Sequence, residues 1–148
     1  MRLQLGISVK YDLELFEKGI VLPTIRLVTS IVFKCKERWS DPYDAIIDTG
    51  SPVSVFPSSV ISEGCNFHPI EETKIQGLVP HPECSLAAKL GTITNRVNDH
   101  KYISPPLLMK VYIAATNKIP FLLGFADLLE RGQLSVNYSK REAHLVVS

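Results

Sequence analysis

The sequence predicts a mostly β protein, and three observations predict it. Short segments alternate apolar and polar side chains with the period of a half-buried strand. β-branched residues crowd the stretches between turn signals, and a single stretch near the C-terminus reads as a short helix.

The first segment, "RLQLGISVK", sets Leu3, Leu5, Ile7 and Val9 against Arg2, Gln4, Ser8 and Lys10, which is a strand with one face inward. From Thr24 to Phe33 the chain is rich in β-branched residues, and the turn-like "ERWSDPYD" separates it from "AIID", giving two strands joined by a loop. Pro57, Ser58 and Ser59 mark the next break. Between Thr73 and Ile93, "TKIQGLV" and "CSLAAKLGTI" flank "VPHPE", a long hairpin whose tip Pro80 and Pro82 would stiffen. "NRVNDHKYISPP" reads as a loop. "LLMKVYIAA" reads as a strand whose imperfect alternation fits burial on both faces. In "IPFLLGFADLLERGQLSVNYS" an apolar strand runs into Gly124, and a short helix follows with Leu128 and Leu129 on its buried side. Gly132 stops that helix, and "QLSVNY" resumes the alternation. "EAHLVVS" supplies a last strand. With no internal repeat, these elements suit a barrel or a sandwich.

The 148 residues are enough for one core and too few for two lobes. With 45% hydrophobic residues, 21% charged residues and a formal charge of +1, the composition is that of an ordinary globular protein. Lys and Arg are scattered, without the clustered basic face and interleaved aromatics of a nucleic-acid surface, so no nucleic-acid partner is expected. The apolar stretch "LPTIRLVTSIVF" falls short of the ~20 residues that span a bilayer and is broken by Arg26, so no membrane partner is expected either. The N-terminus lacks the continuous apolar segment of a secretory signal. Cys35, Cys65 and Cys84 are odd in number and widely spaced, which argues against a disulfide scaffold and for a reducing, cytoplasmic compartment.

The stretch that carries chemistry is "AIIDTGSPVSVFP", residues 45–57. It places one carboxylate, Asp48, at the end of an apolar strand and follows it with Thr49, Gly50 and Ser51. A Thr hydroxyl that bonds backbone and a Gly that admits close backbone approach hold such a carboxylate rigidly. Asp-Thr-Gly alone also suits an ordinary polar turn. The flanks extend it to an apolar pair, Asp-Thr-Gly-Ser, then Ser-Val-Phe in a second strand doubling back beside the first.

That longer pattern resembles the active-site motif of the retropepsin-like, single-lobe aspartic peptidases, and "FLLGFADLL" resembles the family's second hallmark, an apolar pair, a Gly and a short helix beneath the catalytic loop. The likeness covers roughly residues 24–139, within one domain taken as residues 1–148. It implies a closed acid-protease barrel with one short C-terminal helix and one lobe per chain. It also implies that Asp48 is catalytic, that Thr49 locks the two catalytic loops together, and that Gly50 offers backbone to an extended peptide substrate. Ile75, Gln76, Gly77, Leu78 and Val79 would belong to the flap over the cleft. No cofactor and no metal is implied.

Such chemistry uses two carboxylates around one water, one ionised and one protonated. Asp44 lies four residues from Asp48, roughly 13 Å along a strand, too far to share a water. No second Asp-Thr-Gly or Asp-Ser-Gly occurs, and Asp127, on the expected helix, suits a capping or loop-binding role. A symmetric homodimer, with an isologous interface that brings Asp48 to its copy, completes the site. The alternative is a non-proteolytic binding or dimerisation module that keeps the motif as structure.

The chain departs from the retroviral pattern in three places. Pro52 and Phe125 stand where an acidic residue and an Arg form an ion pair, Ser51 stands where many members have Ala, and the flap stretch has one Gly and two prolines. The Ser51 hydroxyl would donate to the ionised carboxylate and shift activity toward acid. Two other constellations compete. Cys65-x-x-His68 and His81-x-x-Cys84 have zinc-like spacing, but a hairpin would set one pair at its base and the other at its tip. Ser51, Ser54, Ser58 and Ser59 with a histidine would need a nucleophile elbow that is absent. Phe121, Phe125, Leu128 and Leu129 read as core, and Trp39 as a partly covered surface aromatic.

Overall fold

A computed structural model of the chain describes the backbone of residues 1–75 and 86–148, and the side chains of residues 1–70 and 87–148. The alternating first segment forms β1 (Arg2–Tyr11), with Leu3 and Leu5 buried, and it turns back through β2 (Pro23–Phe33). Between them a five-residue helix, α1 (Leu13–Glu17), is capped by Asp12, whose carboxylate accepts from the Leu15 backbone N–H at 3.0 Å. The strand-oriented reading of the sequence did not anticipate α1. It buries no residue, so it leaves no apolar periodicity to detect.

"YDAII" forms β3 (Tyr43–Ile47), followed by β4 (Ser54–Phe56) and the single turn α2 (Ser59–Ser62). Next come β5 (His68–Ile75), β6 (Leu86–Asn98) and β7 (Leu107–Ala114). The expected loop "NRVNDHKYISPP" is therefore shorter than its composition suggests, because its first four residues prolong β6. There Asn95 and Val97 face the core, and β6 pairs on one edge with β7 and on the other with β2. The last elements are β8 (Phe121–Leu123), β9 (Gln133–Asn137) and β10 (Glu142–Val146). The expected short C-terminal helix contracts to turns and one 3₁₀ turn, Leu129–Arg131, preceded by Asp127 in the left-handed region at φ 63°. Leu128 and Leu129 are buried as expected.

The sheet order is β5-β6-β7-β4-β8-β3-β2-β1-β10-β9. Because β2 also pairs with β6, the hydrogen-bonded path β2-β3-β8-β4-β7-β6 returns to β2 and encloses the core. Two contacts are parallel, β3 with β8 and β4 with β7. In β3 and β8 one face is buried and the other half-buried at Ile46 and Leu122, which is why "AII" and "FLL" run apolar without alternation. The core centres on Phe33, Phe56 and Phe121 together with half-buried Tyr43. The Phe121 ring lies 5.0 Å from Phe56 and 5.1 Å from Tyr43, centroid to centroid.

The parallel register of β3 and β8, Ala45 opposite Phe121 through Ile47 opposite Leu123, has a direct positional consequence. Both strands end at the same edge of the sheet, so Asp48 and Gly124 emerge side by side.

Candidate active site

Asp48 is held from both sides of its own loop. Its backbone N–H donates to the Leu123 carbonyl at 2.9 Å, continuing the β3–β8 ladder one residue past the strand. Its Oδ1 accepts the Gly50 N–H at 3.0 Å, and its carbonyl accepts the Ser51 N–H at 3.2 Å. The carboxylate is thereby fixed at the rim, half-buried, while Thr49 and Gly50 are exposed beside it. Among the described residues no second carboxylate is hydrogen-bonded to Asp48. Asp44 sits exposed within β3, opposite Ser30.

The second hallmark packs directly against this loop. A Cβ on Gly124 would lie 2.5 Å from the Ser51 carbonyl oxygen and 2.9 Å from the Val53 carbonyl, all backbone, so only glycine fits. The Gly124 N–H donates to the fully buried Ser54 Oγ at 2.9 Å. The Phe125 and Ala126 N–H groups donate to the carbonyls of Ser51 and Pro52, each at 3.0 Å. Three hydrogen bonds from the Gly124–Ala126 backbone thus join the loops, beside the Pro52 and Phe125 positions where the retroviral pattern has an ion pair. Phe125, expected in the core, is instead 44% exposed, because its backbone rather than its ring faces the Asp48 loop.

Asp127 anchors the turn from below. Its carboxylate accepts the Lys110 backbone N–H at 2.8 Å and the Lys110 ammonium at 2.9 Å, with Arg131 at 3.5 Å. Its own N–H donates to Glu130 Oε1 at 2.7 Å. Burial alone would raise this carboxyl, but the Lys110 bonds and the Lys110 and Arg131 charges outweigh it and hold the group below the usual carboxylate range. Asp127 therefore ties the turn to β7, the loop-binding role its position suggests.

Ser51 corrects one expectation. It is buried, and its hydroxyl donates to the Val53 carbonyl at 2.6 Å, so it braces the loop and does not reach the Asp48 carboxylate. Of the flap residues, Ile75 ends β5, and Gln76, Gly77, Leu78 and Val79 lie outside the described residues.

His68 is exposed at the start of β5, Cys65 lies opposite Cys35, and His81 and Cys84 lie outside the described residues. Ser54 Oγ accepts from Gly124 and Ser58 Oγ is bonded to Asn117, and among the described residues neither is paired with a histidine. Trp39 is half-buried with the Lys34 ammonium at 5.1 Å and the Arg96 guanidinium at 4.7 Å from its ring. Sequence reasoning missed a groove of about 520 Å³ lined by residues including Gln4, Thr29, Asp44, Asn98, Asp99 and His100, which contains none of the motif residues. No helix among the described residues is long and apolar enough to cross a membrane.

No protein-family model and no curated protein matches this sequence. Among solved structures, the chain is similar to a retropepsin-like aspartic protease from Rickettsia conorii, with 13% identity, a TM-score of 0.51, and 98% of this chain and 92% of that one covered. It also aligns with EIAV protease in complex with the inhibitor HBY-793, at 15% identity and a TM-score of 0.43, over 67% of this chain and 81% of that one. Full-length coverage, the β3–β8–β4 arrangement and the position of Asp48 at its open end agree: the chain has a single-lobe, retropepsin-like fold.

Proposed function

We propose that the chain is an aspartic endopeptidase that works as a homodimer, with Asp48 of each copy forming a pair around one catalytic water. The observation that carries this reading is the Asp48 carboxylate itself, rigidly bonded by Gly50 at the rim of a retropepsin-like fold and, among the described residues, hydrogen-bonded to no second acid. Two like charges sharing a water cannot both stay ionised, so one carboxylate takes the water's proton while the protonated partner polarises the scissile carbonyl. Exposed Thr49 and Gly50 are then free to meet the partner loop and the substrate backbone. An extended peptide suits a cleft formed by sheet edges, with main-chain hydrogen bonds for affinity and alternate side chains for selection. The last strand in the sheet order, β9, leaves an edge to which a two-fold-related copy can add its own.

The test is cleavage of a peptide library by purified protein between pH 4 and 7, beside Asp48→Asn. Loss of a pair member removes general acid–base catalysis, so the variant should fall by at least ~10²-fold. A dimer that cleaves nothing, or cleavage that survives in the variant, would instead favour the non-proteolytic module or a contaminating enzyme.

A further inference from the structure

Cys35 and Cys65 are 30 positions apart in sequence yet stand directly opposite each other in an antiparallel bridge. The hydrogen bonds around them define the kind of pair. The Asn66 N–H donates to the Lys34 carbonyl at 2.8 Å, while the Cys35 and Cys65 N–H groups are used elsewhere, by Arg38 and Val60. The two cysteines therefore occupy a non-hydrogen-bonded position, where opposed Cα atoms approach to about 4.5 Å and side chains are closest. A disulfide accepts Cα separations from about 4.4 to 6.8 Å, so the backbone is already within range. Neither cysteine is in a disulfide, and the Cys35 thiol donates weakly to the Glu63 carbonyl at 3.7 Å; Cys35 is buried and Cys65 half-buried, which leaves one sulfur open to a small oxidant.

We propose that Cys35 and Cys65 form a reversible intrachain disulfide under hydroperoxide stress, closing the loop that contains β3, the Asp48 motif and β4. The Cys65 sulfur attacks the distal oxygen of the hydroperoxide, breaking the O–O bond, to give a sulfenic acid and an alcohol. The Cys35 sulfur then displaces that hydroxyl from Cys65, the S–S bond forms, and water leaves with the second thiol proton. Two thiols are oxidised by two electrons and one hydroperoxide is reduced. Burial, then Cys35 and Glu63, push the Cys65 thiol up to about 11. The thiolate is therefore scarce at neutral pH, oxidation is slow, and the bond serves as a lasting staple of the site-bearing loop and not as a fast sensor. This inference does not depend on proteolysis.

The test treats the full chain with hydrogen peroxide at mildly alkaline pH and maps peptides without reduction. The expected product is a Cys35–Cys65 linkage that forms equally in Cys84→Ser, reverses with dithiothreitol, and raises Tm by roughly 5–10 °C, as closing a loop of about 30 residues should. Cys65→Ser should show neither linkage nor Tm rise. Linkage to Cys84, a disulfide between chains, or Cys65 over-oxidised while Cys35 stays a thiol would each overturn the proposal. The map of Cys84→Ser decides the matter even if Cys65→Ser folds poorly.

Discussion

Asp127 shows how one side chain can hold the turn beneath the Asp48 loop without touching that loop's carboxylate. Its carboxyl is depressed in the folded state by Lys110 and Arg131, whereas the unfolded chain returns it to about 3.9. A depressed carboxylate contributes stability that is complete above the unfolded value and is lost as pH falls through the folded one. Asp127→Asn should therefore cost about 1–3 kcal/mol at pH 7, and the gap to wild type should narrow below about pH 4. Urea unfolding across pH 2.5–7 checks this, and a gap of constant size would remove the charge from the explanation. Asn keeps the tolerance for the left-handed backbone at this position, so the comparison isolates the charge. The placement of Asp48 just past a buried strand was legible in the sequence because its pattern is local: an apolar run, an acid and a tight turn. The Ser51 hydroxyl was not, since its bond to Val53 depends on how the loop curls back, and neighbouring residue types do not encode that.

At the scale of elements, the close approach of Gly124, just past β8, to the loop leading into β4 leaves little room for change. Gly124→Ala would push a methyl into the Ser51 and Val53 backbone, and backbone cannot rotate aside as a side chain can. The variant should lose about 2–4 kcal/mol and, if the site is catalytic, lose turnover out of proportion to substrate affinity, because the Asp48 loop shifts by fractions of an ångström. Unchanged stability would mean that the loops are looser than these contacts require. Strands with one wet face, such as β1, were readable from period-two alternation. β6 past Ile93 was not, because Asn95 and Asn98 look like loop residues until β2 pairs with both and β7 pairs with Asn95 on the other edge. The C-terminal turn was readable as to burial, through Leu128 and Leu129, and misread as to length. Asp127 takes a positive φ that an uninterrupted helix does not permit.

At the scale of the molecule, the proposed dyad requires a second copy, because Asp48 supplies one acid per chain. If the dimer is weak, activity should fall faster than linearly on dilution, and adding an excess of Asp48→Asn chains should suppress wild-type turnover by forming mixed pairs. Linear dilution with no effect of the added variant would fit a lone active chain and not a shared site. The retropepsin-like fold and the placement of Asp48 follow from the single chain, whereas the proposed pairing of two acids would belong to the assembly. The measurement that tests it most directly is a structure of the protein with a statine-type peptide mimic, read for the distances from the mimic's hydroxyl to the two Asp48 carboxylates. The account predicts one hydroxyl within hydrogen-bond reach, about 2.6–3.2 Å, of both. A monomer, or a dimer whose Asp48 side chains face apart, would contradict it.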